Sequence, residues 1–113
     1  MHEVSIMEQT LEIALNHAKQ QGATRIHWIK MKVGELSGVI PEALEFAFDV
    51  VAKGTMAETA IFEIDSIPVR CYCDHCQMEF QPDDYVYECP QCHEYSLDIL
   101  QGKELELTSL EVS

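Results

Sequence analysis

Residues 71–76 read Cys-Tyr-Cys-Asp-His-Cys and residues 89–93 read Cys-Pro-Gln-Cys-His. Within them lie two C-x-x-C pairs, Cys73–Cys76 and Cys89–Cys92, with residues 77–88 between. A short hairpin can span that interval and bring both thiolate pairs to one point. Four converging sulfurs form a tetrahedral cage that suits Zn(II), and with no open position such a site is structural rather than hydrolytic. From Cys71 to His93 the large hydrophobes are only Met78, Phe80, Val86 and three tyrosines. That is too little for a core of its own, so a metal must hold the segment. A structural zinc supplies about 10–16 kcal/mol of apparent binding energy, which is ample.

Rival readings of the cysteines are weaker. Cys89-Pro-Gln-Cys92-His93 matches the c-type haem attachment pattern, but that chemistry needs export and leaves the other C-x-x-C unexplained. A redox dithiol needs a thioredoxin-like βαβ setting, which the sequence does not offer. Pro90 fits the tight turn of a zinc knuckle. Cys71 reads as a small strand hydrophobe, with alternate ligation as the other option. His75, inside the first knuckle, and His93, just after the second, are either exposed turn residues or groups that tune the thiolates as pH changes. His17 and His27 read as ordinary surface histidines.

Outward from the cysteines, the pattern is α+β. Ser5-Ile6-Met7-Glu8 is a capping-box signature, followed by Ile6, Met7, Leu11, Ala14, Leu15 and Ala18 on one helical face, with Gly22 as the stop. The residues ahead of Ser5 are available as an edge strand. Ile26, Trp28, Met31 and Val33 form a strand whose phase changes at Ile29, so it is buried on both faces or bulged. Gly34 and Gly38 bracket a loop. Pro41 opens a second helix, with Leu44, Phe48 and Val51 facing inward and Gly54 closing it. Residues 61–69 are rich in β-branched side chains and read as a strand. Residues 103–112 alternate like a strand that returns to the first sheet. The expected architecture is two helices packed on a small β-sheet with an inserted four-cysteine zinc ribbon. Residues 1–69, joined by 102–113, form one domain and residues 70–101 the zinc-binding one.

Composition narrows the partners. The chain has 113 residues, 47% of them hydrophobic, and 20 acidic against 7 basic side chains give a net charge of −13. Such a surface repels phosphate backbones and anionic membranes, so neither nucleic acid nor membrane is an expected partner. Met1-His2-Glu3-Val4-Ser5 is not basic, and no apolar run approaches the roughly 18 residues of a membrane span. A reducing cytoplasm is the expected compartment, where C-x-x-C pairs bind metal rather than form disulfides.

A second metal site is suggested by His2. The α-amine, neighbouring amide nitrogens and the imidazole can close fused chelate rings in one plane, which Ni(II) and Cu(II) favour over Zn(II). Glu3 adds an amide and a carboxylate. Affinity then rises as nitrogens lose protons, so the site loads at higher pH. By itself the dipeptide is also compatible with an incidental histidine.

Met1-His2-Glu3 leading into a helix, Val33-Gly34-Glu35-Leu36-Ser37, the two C-x-x-C pairs and the closing Gly102-Lys103-Glu104-Leu105 and Ser109-Leu110-Glu111 segments together resemble the HypA/HybF family of hydrogenase nickel incorporation proteins. The resemblance spans essentially the whole chain. It implies a nickel metallochaperone carrying Ni(II) at Met1, His2 and Glu3, with structural Zn(II) on Cys73, Cys76, Cys89 and Cys92. It also implies partners: a HypB-type GTPase, the large subunit of [NiFe]-hydrogenase and, where urease is an acceptor, urease accessory proteins. Relatives often place a histidine just beyond each C-x-x-C pair. Here the first pair is followed by Gln77-Met78, with its histidine inside the knuckle. The sequence offers no nucleophile–base pair and no phosphate loop, so a non-enzymatic carrier is expected. The competing class is a zinc-ribbon adaptor for protein assembly with no nickel role. Glu8 and Glu12 on the first helix and Glu42, Glu45 and Asp49 on the second read as solvated faces or as docking sites for a basic partner.

Overall fold

The computed structural model describes residues 2–83 and 86–113. Its elements run α1 (His2–Gln20), β1 (Ile26–Gly34), a 3-10 turn (Glu35–Ser37), α2 (Pro41–Val51), β2 (Ile61–Ile67), β3 (Arg70–Cys73), β4 (Met78–Phe80), β5 (Ile99–Gln101) and β6 (Leu105–Val112). They build an α+β molecule with two three-stranded sheets, ordered β2-β1-β6 and β4-β3-β5.

β1 is the centre of the first sheet, parallel to β2 and antiparallel to β6. A parallel neighbour cannot be reached by a tight hairpin, and α2 supplies the crossover from β1 to β2. Its register with β6 slips between Ile26 and Trp28 and again between Lys30 and Met31. That first bulge explains the phase change in the sequence: Ile26 and Ile29 are both buried, although an even alternation would separate them. Met7, Leu11 and Ala14 of α1 and Leu44, Ala47 and Phe48 of α2 cluster with Ile29, Met31 and Val33 on one face. The Phe48 ring stacks on Phe62 of β2 with centroids 5.0 Å apart. On the register positions between, Lys30 pairs with Glu63 at 3.3 Å.

Two expectations are corrected at the N-terminus. The residues ahead of Ser5 are not an edge strand, and Ser5 does not cap the helix, because α1 already runs from His2. The reason is tertiary: Val4 packs against the core, and the buried Glu3 carboxylate accepts the Ile40 N–H at 3.5 Å. Those contacts extend the helix by a turn beyond the local capping signal. Pro41 does open α2, and Val51, expected inward, is only half-buried. The edges of the sheet are β2 and the returning strand β6.

The two sheets meet where the chain leaves the first at Pro68-Val69 and re-enters at Gly102-Lys103. Glu35 Oε1 accepts the Val69 N–H at 2.7 Å, and the Leu36 N–H donates to the Gly102 carbonyl at 2.7 Å. Gln101 Nε2 donates to the Pro68 carbonyl at 2.9 Å. Gly34 lies so close to this crossing that a Cβ there would overlap the Gly102 carbonyl, and a Cβ on Gly102 would stand 3.0 Å from Val69 Cα. Both obstacles are backbone and cannot swing away. Gly34→Ala should therefore cost about 2–4 kcal/mol in urea unfolding, in the range of core overpacking and backbone strain. Gly22→Ala, at φ +72 with nothing near its Cβ, should cost only the left-handed backbone penalty of about 1–2 kcal/mol. Equal losses in the two variants would refute the close crossing.

Candidate metal centre

The second sheet is held together by sulfur more than by hydrocarbon. Its buried cluster is Val69, Cys71, Cys73, Phe80 and Cys89, with Leu36 of the 3-10 turn packed against it. β3 pairs with β4 so that Cys71 faces Phe80 and Cys73 faces Met78 across the ladder, and with β5 through Cys71 and Ile99.

Each C-x-x-C pair is bent into a knuckle by the residue that follows it. Gln77 and His93 are the only non-glycine residues with positive φ among the described residues, at 52° and 64°. Both stand one position past the second cysteine of a pair. In the second knuckle the His93 N–H closes on the Cys89 carbonyl at 2.9 Å, and the Cys89 N–H on the Glu94 carbonyl at 2.9 Å. In the first, the Cys76 N–H points at Cys73 Sγ, 3.5 Å away. Amides aimed at sulfur favour the thiolate.

The four sulfurs of Cys73, Cys76, Cys89 and Cys92 all lie within 4.8 Å of one another. Cys73 and Cys92 are 3.5 Å apart and Cys76 and Cys89 3.9 Å. Zinc–sulfur bonds of about 2.3 Å in a tetrahedron demand edges of about 3.8 Å, so the cage has the size of a zinc site. A disulfide, at about 2.0 Å, is excluded by the same distances, and all five cysteines are free. The donor set and its spacing fit structural zinc.

The protons of the metal-free cage are unevenly shared. Amide N–H groups of Cys92 and Gln91 bring Cys89 down to about 6. Burial, followed by hydrogen bonding to the other three sulfurs, pushes Cys76 up to about 12. The Glu94 amide favours a thiolate at Cys92, yet burial and the neighbouring sulfurs leave that group raised. Cys71 is fully buried in β3 outside the four-sulfur cluster, its thiol raised by burial and by Asp98.

Neither His75 nor His93 enters the cluster, and both are exposed. His93 Nδ1 lies 3.3 Å from Glu88 Oε2. What the sequence reading missed is the backbone task of Gln77 and His93. The signal available was position alone, one residue past each pair, where histidine tolerates the left-handed region better than most side chains. His17 and His27 are exposed, the latter 2.6 Å from Ser113 Oγ.

At the other end of the chain, His2 is the first residue of α1, with its side chain 64% exposed. Its Nδ1 stands 3.8 Å from Glu3 Oε2, while the Glu3 side chain is only 12% exposed. The pair is thus split into an outward imidazole and an inward carboxylate. Met1, the third expected nickel ligand, lies outside the described residues.

Zinc must expel the protons of Cys76 and Cys92. Apparent zinc affinity, measured by competition with a chelator, should therefore fall by at least about a hundredfold per pH unit on acidification below neutrality, more steeply once Cys89 also takes up a proton at about 6. A pH-independent affinity would contradict the assigned thiols. Cys89→Ser should remove the zinc seen by elemental analysis while circular dichroism retains the signal of α1 and α2. Collapse of that helical signal would show that the first sheet depends on the cage.

Residues 1–112 match the family described as hydrogenase/urease nickel incorporation, metallochaperone, hypA. The chain is 54% identical over 112 residues to the hydrogenase maturation factor HypA of a Picosynechococcus species, covering 99% of each protein. It is 38% identical over 112 residues, again 99% of each, to the HypA of Acidithiobacillus ferrooxidans. Among solved structures, that of the Ni metallochaperone HypA from Helicobacter pylori superposes with a TM-score of 0.67 at 28% identity, covering 97% of this chain and 96% of that one. A second HypA solution structure gives 0.72 at 29% identity, covering 100% and 97%. The family is one of maturation factors, not of catalytic enzymes. The chain belongs to the HypA family of nickel metallochaperones for hydrogenase maturation.

Proposed function

We propose that this protein carries Ni(II) at its N-terminus on Met1, His2 and Glu3 and hands it on during [NiFe]-hydrogenase maturation. Zn(II) on Cys73, Cys76, Cys89 and Cys92 is its resident structural ion. The observation that carries the nickel reading is the place of His2: an exposed imidazole on the opening residue of a helix. The first four N–H groups of a helix have no intrahelical acceptor, so those of His2 and Glu3 are free to give up a proton to a metal. The positive end of the helix dipole favours the resulting anionic nitrogens. Imidazole plus amides in one plane suits Ni(II) and rejects the tetrahedral preference of zinc.

Glu3 serves as an anchor as well as a neighbour to the metal. Its carboxylate on the Ile40 N–H fixes the first turn, while the imidazole stays accessible for exchange. An open, few-sided site of this kind favours transfer over storage. The transfer partners are a HypB-type GTPase and the hydrogenase large subunit, with urease, which the family description names, and urease accessory proteins as a second outlet. His75 and His93, in and beside the knuckles, stand where their protonation would alter the field at the thiolates. Residues 70–101 form the zinc-held domain and residues 1–69 with 102–113 the nickel-carrying one. No helix among the described residues is long and apolar enough to cross a membrane, and we place the protein in the cytoplasm.

His2→Ala should weaken Ni(II) binding by more than about a hundredfold, because even groups that only support a metal ligand are worth ten- to a hundredfold. Zinc content and the unfolding midpoint should not change. A few residues added ahead of Met1 should have the same effect by removing the free amine. Titration calorimetry of both variants decides the matter. Retained stoichiometric nickel binding in either would leave a zinc-ribbon adaptor as the better reading.

A further inference from the structure

α2 is buried on one side and unusually sticky on another. Leu44, Ala47 and Phe48 already fill its share of the core. Yet Phe46 is 64% exposed and Val50 51%, one helical turn apart, and Ile40 at the helix start is 58% exposed. Scattered exposed hydrophobes are ordinary; an aromatic and a branched side chain stacked at i and i+4 make a stripe. Within α2 the charged neighbours of that stripe are all acidic, and the one base beside it, Lys53, stands past the end of the helix, three residues beyond Val50. Glu42 and Asp49 stand four residues before and three after Phe46, Glu45 adjoins it, and α2 contains no basic residue. Across the shallow groove between the helices, lined by Leu15 and Val51, α1 adds Glu8 and Glu12. The basic side chain on that groove is Lys19, in the last turn of α1.

We propose that this side of α2 docks a partner protein through a basic amphipathic helix, its apolar face on Phe46 and Val50 and its Lys or Arg residues against Glu42, Glu45 and Asp49. The rows run along 11 residues of helix, about 16 Å, a length that a partner helix of three turns can match. Charge decides against the other occupants. A second copy would bring the same acidic rows face to face on a chain of net charge −13. An anionic bilayer is repelled for the same reason.

The position of the stripe gives the docking its use. Ile40, the N-cap of α2, holds the Glu3 carboxylate through its N–H. A helix laid along α2 therefore ends beside His2. This inference goes beyond the nickel reading and is tested without nickel, so the two fail separately.

The test uses zinc-loaded full-length protein and a fluorescent 14-residue peptide of leucine and lysine with one apolar face, against a scrambled peptide of the same composition. Anisotropy should show binding of the first peptide only. Phe46→Ala and the double variant Glu42→Lys/Asp49→Lys should each weaken it at least about tenfold, as expected for an anchor residue and its rim. Val50→Ser should weaken it as well. Glu106→Lys/Glu111→Lys, on β6, should leave it within about twofold, since rim charges far from the contact act only through a screened field. Circular dichroism and zinc content should match the parent in every variant. Equal binding of the scrambled peptide, or equal loss in the β6 variant, would overturn the proposal in favour of unspecific attraction. A dimer in sedimentation that Phe46→Ala dissociates would assign the stripe to a second copy. Binding to phosphatidylserine vesicles that is lost in Phe46→Ala would assign it to a membrane, and either result also overturns the proposal.

Discussion

Four sulfurs held within 4.8 Å of one another cannot all ionise without a cation among them. That constraint governs the distal half of the molecule. With zinc in place the thiolates become the core that the segment otherwise lacks, and Val69, Phe80 and Leu36 need only seal its edges. The metal here replaces hydrocarbon. Its closed tetrahedron also keeps the site out of the business of exchange, which is why the nickel role is proposed for the outward imidazole at His2.

Geometry connects the two ends through one short stretch. Residues 34–40 touch both: Leu36 packs into the sulfur-centred cluster and bonds Gly102, Glu35 caps Val69, and Ile40 holds Glu3. The Val-Gly-Glu-Leu-Ser segment is thus explained by its contacts. Gly34 gives room for the crossing backbone, Glu35 satisfies a stranded N–H, and the Ser37 hydroxyl accepts the Val39 N–H at 3.2 Å just before α2. A fold built this way sets the first turn of α1 and the four-cysteine cluster on one braced frame.

Much of this was legible in the sequence where the cause is local. The C-x-x-C spacing announced the cage, Pro41 the start of α2, and the alternation of residues 103–112 the strand that comes home, which forms over Leu105–Val112. Most of the features that were not legible have distant causes. The start of α1 is set by Glu3 meeting Ile40 and by Val4 reaching the core, so the capping-box pattern at Ser5 misled. The parallel pairing of β1 with β2, and the choice of a bulge over two-sided burial, depend on what lies alongside. Gln77 carried no reading of its own, and His93 was read as an exposed turn residue or a group tuning the thiolates, because the service of both is in the backbone. At the N-terminus the division of His2 and Glu3 into an exposed ring and an anchored carboxylate was not legible, because it depends on the distant Ile40 N–H.

The central claim is that nickel sits on nitrogen at the first residues while zinc keeps the sulfur. X-ray absorption at both metal edges, on protein loaded with one equivalent of each ion, tests it directly. The account predicts a nickel spectrum of nitrogen and oxygen neighbours with no sulfur at all, beside a zinc spectrum of four sulfurs at about 2.3 Å. Sulfur scattering at the nickel edge, or nitrogen replacing sulfur around zinc, would contradict it.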